Sequence, residues 1–371
     1  MRVIIAAAGT GGHINPGIAI ANKIKEKEPD SDFIFIGTNR GLEKDLIPRA
    51  GYDLRMIDAH GLERKLTTQN IKNLYATYKS IGEARKILET FKPDVVIGTG
   101  GYICVPVIIA AKKLKIPIVL HESNAYPGIA VKLFKKKVDK ILVGFEDAKN
   151  RLKNLDNVVV TGNPIKLKKR NLTESEKSKI KQEYGIKNNK PIVLVFGGSQ
   201  GAQSINRSFM EIIVNKKNKE YQIIWAAGPG QYDEIKNKLS EVNVNIDNIE
   251  NVKILPYIYN MEEIMNMCDL VVCRSGAMTI TEVSVVGKPA IFIPFPYAAE
   301  NHQEYNARVL EKVGAAKIIL NKDLNSEILG NTIEKLIENK NKLKEMGLNA
   351  TKIAMENVED RIYIEIKKVL K

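Results

Sequence analysis

Short apolar, β-branched runs recur along the chain with helix-period segments between them. They predict strands at 3–8, 32–36, 95–97, 118–120, 140–143 and 158–160, and then at 192–196, 222–226, 252–255, 270–272, 290–293 and 317–319. The runs are continuously apolar, not alternating, which marks strands covered on both faces. Their alternation with helical stretches marks βαβ units and parallel sheets, an α/β fold. Thr161-Gly162-Asn163-Pro164 interrupts the pattern near mid-chain, and a polar stretch, 166–190, precedes the next strand. This places an N-terminal domain at 1–163 and a C-terminal domain at 164–348. The last stretch, 349–371, reads as one helix carrying Ile353, Val358, Ile362 and Ile366, free to pack back on the first domain.

The halves resemble each other. A strand runs into Gly9-Thr10-Gly11-Gly12 in the first and into Gly197-Gly198-Ser199-Gln200-Gly201 in the second. Later in each half, a strand runs into Gly98-Thr99-Gly100-Gly101 or into Arg274-Ser275-Gly276. Two Rossmann-like domains in tandem is the economical reading, and ligands would then bind at the carboxyl ends of the strands, in a cleft the domains share.

The length of 371 residues fits two domains, and a composition 44% hydrophobic and 27% charged excludes disorder and fibrous classes. No apolar run reaches the roughly 18 residues of a membrane span. The longest, 103–111, contains Pro106, and Met1-Arg2 leads straight into apolar Val3-Ile4-Ile5, unlike a signal peptide. Cys104, Cys268 and Cys273 have no metal or disulfide spacing and read as buried thiols of a reducing compartment. The charge is informative. Lys plus Arg outnumber Asp plus Glu by 57 to 43, and 18 basic against 8 acidic residues fall within 61–153. That patch suits an anionic membrane or substrate. The alternatives are a solvated face and nucleic acid. No nucleic-acid recognition motif is present and aromatics are only 6%, so no nucleic-acid partner is expected.

Each Gly-rich turn leaves backbone N–H groups at a helix N-terminus, where phosphate can bind. The acidic residue that a dinucleotide-binding site places after its second strand is missing. That strand ends in Gly37-Thr38-Asn39, and its counterpart ends in Ala226-Ala227-Gly228. No P-loop motif occurs either. Glu282, one turn into the helix after Arg274-Ser275-Gly276, can accept from both hydroxyls of a ribose, unless it is merely an exposed helical glutamate. His13 ends the first Gly loop and is either a general base for an attacking hydroxyl or a helix-entry histidine bonded to a backbone carbonyl. His121-Glu122-Ser123-Asn124, His302-Gln303 and Asn306 follow strands and would face the same cleft with groups suited to a sugar. Asp30-Ser31-Asp32 precedes its strand and reads as a surface turn, not a metal-binding Asp-x-Asp.

Taken together, Gly9-Thr10-Gly11-Gly12-His13, Gly98-Thr99-Gly100-Gly101-Tyr102, His121-Glu122-Ser123-Asn124, Gly162-Asn163-Pro164, Gly197-Gly198-Ser199-Gln200-Gly201-Ala202, Arg274-Ser275-Gly276-Ala277, Glu282 and the stretch from Pro294-Phe295-Pro296 to Asn306 resemble the N-acetylglucosaminyltransferases of peptidoglycan synthesis. The resemblance implies a GT-B fold and an enzyme peripherally bound at the cytoplasmic face of the bacterial membrane. It would transfer N-acetylglucosamine from UDP-GlcNAc, with inversion, to the C4 hydroxyl of undecaprenyl-pyrophosphoryl-MurNAc-pentapeptide. It implies no metal and no other cofactor. It also assigns His13 as base. The UDP-GlcNAc contacts would be Thr10, Gly11, Gly12, Asn124, Ser199, Ile258, Ala277, Met278, Thr279, Glu282 and Gln303. Lys166 stands where the family often has Arg, keeping the charge but not the bidentate fork. Gly100, Gly101 and Tyr102 are left for the pyrophosphate of the acceptor. The rivals are a GT-B transferase with another lipid acceptor and a non-catalytic nucleotide-sugar binding module.

Overall fold

The computed structural model describes residues 1–60, 68–186, 188–198, 200–246, 249 and 251–370, and for 68–75 and 77 the backbone only. They form two compact units, residues 1–165 with 355–371 and residues 166–354.

Unit 1 runs through β1 (Arg2–Ala7), α1 (Gly11–Lys27), β2 (Asp32–Gly37), α2 (Glu43–Arg49), β3 (Asp53–Met56), α3 (Thr68–Phe91), β4 (Val95–Gly100), α4 (Cys104–Lys113), β5 (Ile118–Glu122), α5 (Ile129–Phe134), β6 (Lys140–Val143), α6 (Glu146–Arg151) and β7 (Val158–Val160). Its seven strands are all parallel, in the order β3-β2-β1-β4-β5-β6-β7. The two-residue period of β1 divides the core. Val3, Ile5 and Ala7 pack with α1 and α2, while Ile4 and Ala6 pack with α3, α4, α5 and α6. Helices on both faces explain why the strands read as unbroken apolar runs. β3 has no such run. It is an edge strand with Asp53 and Arg55 on a largely exposed surface, so the apolar pattern does not predict it.

Unit 2 runs through α7 (Glu174–Glu183), β8 (Ile192–Phe196), α8 (Gln203–Val214), β9 (Gln222–Ala226), α9 (Pro229–Glu241), β10 (Val252–Leu255), α10 (Met261–Met267), β11 (Leu270–Cys273), α11 (Ala277–Val286), β12 (Ala290–Phe292), α12 (His302–Lys312), β13 (Ala316–Ile318), α13 (Ser326–Glu338) and α14 (Lys340–Thr351). Its six parallel strands take the order β10-β9-β8-β11-β12-β13. The halves thus share one winding, with β1 matching β8 and β4 matching β11. In each sheet the strand order reverses between those two strands, which is where an open α/β sheet leaves a crevice for ligands.

The chain end differs from the single helix expected over 349–371. α14 stops at Thr351, and α15 (Val358–Val369) is separate. Asn357, before α15, has φ 54°, a left-handed conformation that a continuous right-handed helix cannot contain. α15 belongs to unit 1. Val358, Ile362 and Ile366 are buried against the α1 face, and Tyr363 and Lys367 both donate to Glu28 at 2.8 Å.

Candidate active site

In unit 1 the turns after β1 and β4 interlock. Thr10 is the extended N-cap of α1, and its side chain makes no capping bond, so the first-turn N–H groups of Gly11 and Gly12 are uncapped. His13 lies in that first turn. Its Nδ1 is 3.1 Å from the Ala8 carbonyl, which can only accept, so Nδ1 carries the proton and Nε2 keeps its lone pair. Both readings of His13 are therefore compatible: the bond to a backbone carbonyl fixes the tautomer a base requires. Burial lowers its pKa, so the ring is neutral at neutral pH. Thr99 Oγ1 donates to the His13 carbonyl at 2.8 Å. Gly100 (φ 124°) lies against the imidazole, and a Cβ there would sit 2.3 Å from His13 Cδ2. A Cβ on Gly101 would sit 2.9 Å from the Ala8 oxygen. These two glycines thus have a packing reason, and Tyr102, half-buried, follows them into α4.

At the end of β5 the expectation of a ligand-facing histidine fails. His121 is buried, its Nε2 lies 3.3 Å from the Gly162 carbonyl, and burial lowers its pKa to about 4. It is a neutral core histidine. Glu122 accepts from the amides of Asn124 (2.9 Å) and Gly128 (2.6 Å), which shapes the turn carrying half-buried Asn124.

In unit 2, α11 follows fully buried β11 with Gly276 as N-cap. Gly276 has no side chain to cap with, so the N–H groups of Ala277, Met278 and Thr279 are open to an anion. Glu282 is the only charged residue of α11. It is not an ordinary exposed glutamate. It is half-buried, has no hydrogen-bond or ion-pair partner among the described residues, and burial pushes its carboxyl up to about 7. A carboxyl in that state is short of donors, and two sugar hydroxyls would supply them.

The neighbouring turn is tied to this helix start. Ser275 Oγ donates to the Gln303 carbonyl at 2.8 Å, and Asn306 Nδ2 donates to the Ser275 carbonyl at 3.2 Å. The Phe295 N–H donates to Gln303 Oε1 at 2.9 Å, which leaves the Gln303 amide N–H groups for a ligand. Ile258, between β10 and α10, buries its side chain, so only its backbone can meet a ligand. Lys166 is exposed at the start of unit 2. Ser199 lies outside the described residues.

Two structural roles escaped the sequence reading. Arg274 donates to the carbonyls of Ile293 and Pro294 and to Asn321 Oδ1, each at 3.0 Å, and to Ser204 Oγ at 2.9 Å. Burial lowers its pKa to about 10. It braces the ends of β11 and β12 instead of presenting its charge to a ligand. Glu43 is fully buried and accepts from the Gly9 N–H at 2.9 Å. Nothing in the spacing of Glu43 marks it. The three cysteines are buried, and burial raises the Cys104 and Cys268 thiols to about 12, so neither ionises near neutral pH.

The raised carboxyl of Glu282 sets a stability test. Its folded-state pKa lies above its unfolded value, so the folded protein loses stability as pH rises between them. Glu282→Gln removes an ionisation that folding opposes. In thermal denaturation without ligand, the variant should gain in Tm over the parent at pH about 8 but not at pH about 4. A gap independent of pH would contradict the burial of this carboxyl.

A model described as the glycosyltransferase family 28 N-terminal domain matches residues 3–143, and one described as the family 28 C-terminal domain matches residues 192–362. The chain belongs to glycosyltransferase family 28. Relatives alike over their full length include a protein of Acetivibrio thermocellus, 44% identical over 100% of this chain and 99% of its own. A protein of Ruminiclostridium cellulolyticum is 42% identical over 100% of both. Both are named UDP-N-acetylglucosamine–N-acetylmuramyl-(pentapeptide) pyrophosphoryl-undecaprenol N-acetylglucosamine transferase. The crystal structure of Acinetobacter baumannii MurG superposes with a TM-score of 0.77 at 26% identity, covering 99% of this chain and 100% of that one. The two parallel α/β units are those of a GT-B glycosyltransferase.

Proposed function

We propose that this family 28 glycosyltransferase moves N-acetylglucosamine from UDP-GlcNAc to the C4 hydroxyl of undecaprenyl-pyrophosphoryl-MurNAc-pentapeptide, inverting the anomeric carbon, in peptidoglycan synthesis. The observation that carries this reading is the 44% identity, over the whole chain, to a transferase whose name states that donor and acceptor. The site chemistry supports it. In unit 2, Glu282 accepts from the ribose hydroxyls, the Ile258 backbone meets the uracil and Gln303 donates to the sugar hydroxyls. The open N–H groups of Ala277, Met278 and Thr279, with Ser199 and Lys166, meet the diphosphate. As the glycosidic bond breaks, charge gathers on the leaving UDP, and fixed N–H dipoles stabilise it without reorganising. No metal is needed in this reading. In unit 1, His13 Nε2 takes the proton of the attacking C4 hydroxyl, and Thr10, Gly11, Gly12 and Asn124 add donor contacts. Gly100, Gly101 and Tyr102 border the acceptor pyrophosphate. The test is incubation of the protein with labelled UDP-GlcNAc and a short-chain muramoyl-pyrophosphoryl lipid. A disaccharide-lipid product is expected. Binding of UDP-GlcNAc without transfer to that acceptor would overturn the reading.

We further propose that unit 1 attaches reversibly to the anionic cytoplasmic face of the membrane, where the acceptor is anchored. Among the described residues no helix is long and apolar enough to span a bilayer. Surface attachment is supported by α5, which exposes Ile129 (69%) and Leu133 (53%) on either side of Lys132 and leads into Lys135, Lys136 and Lys137. In α3, Tyr78 is 74% exposed beside Lys79. In the sequence Ile71, Leu74, Tyr75 and Tyr78 form an apolar stripe at i, i+3, i+4 and i+7, and the first three lie outside the described side chains. Basic groups near such a surface contribute about 1 kcal/mol each. In vesicle sedimentation, binding should rise with anionic lipid, fall with salt and weaken when Lys135, Lys136 and Lys137 become Glu. Equal binding to neutral vesicles at every salt concentration would overturn the electrostatic part.

A further inference from the structure

The Ala8–Gly9 peptide group is bonded at both ends. Its carbonyl accepts from His13 Nδ1 at 3.1 Å, and its N–H donates to Glu43 Oε2 at 2.9 Å. The other Glu43 oxygen accepts from Thr38 Oγ1 at 2.6 Å and from the Thr38 N–H at 3.1 Å. Glu43 is 0% exposed, and no cation pairs with it among the described residues. The surrounding chain is shaped to this carboxylate. A Cβ on Gly41 would lie 2.2 Å from Glu43 Oε2 and 2.8 Å from Gly9 Cα, and the Leu42 N–H donates to the Gly9 carbonyl at 3.1 Å. Loop 38–43 therefore interlocks with the turn that begins α1.

We propose that Glu43 is a positioning residue for His13, acting through the Ala8–Gly9 peptide group. A carboxylate at the N–H end of a peptide polarises it and makes its carbonyl a stronger acceptor. The stronger acceptor holds the proton on Nδ1, keeps the lone pair on Nε2 and stabilises the imidazolium that forms when Nε2 takes a proton. No proton passes along the chain of bonds. Although burial opposes ionisation of Glu43, the bonds from Thr38 and Gly9 hold its pKa below the usual carboxylate range, so the charge is present at neutral pH.

The other groups facing the ring do not supply this charge. From the β4–α4 turn come Gly100 and Gly101, which carry no charge, while the Cys104 thiol that follows them donates to the carbonyls of Ala6 and Gly100 and stays neutral with its pKa near 12. α1 contributes no acidic residue in its first turn. Glu122 of β5 faces Cys104, and the amides of Asn124 and Gly128 occupy its oxygens.

The inference rests on the reading of His13 as base for its catalytic meaning, but the coupling is measurable without activity. In the full-length protein with ¹⁵N-labelled histidine, the His13 resonances, assigned with His13→Gln, should report the Nδ1–H tautomer. In Glu43→Gln the His13 pKa should fall by about 0.5–1.5 units, the effect of removing one charge across a peptide group at intermediate dielectric. Thr38→Val loosens the same loop but keeps the charge, so it should lower Tm and leave the His13 pKa in place. In the parent, the Gly9 amide resonance should follow the His13 titration. An unchanged His13 pKa in folded Glu43→Gln overturns the inference. If that variant does not fold, a Gly9 amide indifferent to His13 titration in the parent overturns it. If His13→Ala stays active while the coupling is observed, the base assignment fails and the coupling stands.

Discussion

His13→Ala lowers kcat by about 10²–10⁴-fold, the usual contribution of a positioned general base, and changes the donor KM little. The imidazole is prepared for that work. The Ala8 carbonyl fixes the proton on Nδ1, and Gly100 offers the ring a flat seat that no side chain could share. Burial places the His13 pKa below the ordinary imidazole value of 6.5. The parent rate should therefore hold as pH falls through about 6.5 and decline only in more acid solution, where Nε2 becomes protonated. The variant should lose that acid limb. His13→Gln keeps an N–H donor for the Ala8 carbonyl but has no base, so it should fail in the same way while preserving the turn. Steady-state kcat measured from about pH 5 to 8 decides the matter. Activity within a few-fold of the parent in both variants would leave His13 a loop residue, with water or another group taking the proton.

Glu282→Ala raises the donor KM by about 10–10²-fold, because the two ribose hydroxyls lose acceptor bonds worth together roughly 1.5–3 kcal/mol. The acceptor KM changes far less, since Glu282 belongs to unit 2 and the proposed acceptor contacts, Gly100, Gly101 and Tyr102, belong to unit 1. The pH dependence adds a second signature. The unliganded carboxyl titrates near 7 because burial opposes its charge. Two hydroxyl donors stabilise the carboxylate, so donor binding releases a proton, and the parent's donor KM should fall as pH rises through about 7. Glu282→Ala should show no such slope. An unchanged donor KM in a normally folded variant would remove Glu282 from the donor site.

Much of the fold was legible in the residues. Parallel strands buried on both faces must be apolar at every position, so β1, β4, β8 and β11 declared themselves, and the Gly-rich turns after them marked the ends where ligands bind. The edge strand β3 was not legible, because a strand with one neighbour and an exposed face has no reason to be apolar. Nor was the break before α15, since the apolar period of 353–366 runs through it. The left-handed Asn357 and the transfer of the last helix to unit 1 come from packing with α1.

The candidate site divides along the same line. Its residue types and their place after particular strands were set by sequence, because phosphate needs free N–H groups at a helix start and ribose needs an acceptor one turn in. The residue pattern alone sent both His13 and His121 toward a ligand, and only the family resemblance singled out His13. Each follows an apolar strand, and only packing makes one a half-buried ring with a free Nε2 and the other a neutral histidine in the core. The pattern did not show Arg274 turning inward as a brace, or Glu43 meeting Gly9 from 34 residues away in the chain. Local pattern fixes which face of an element is apolar and where it ends. A buried carboxylate or guanidinium is placed by partners far away in sequence, because only the folded chain brings together enough donors or acceptors to offset the loss of water.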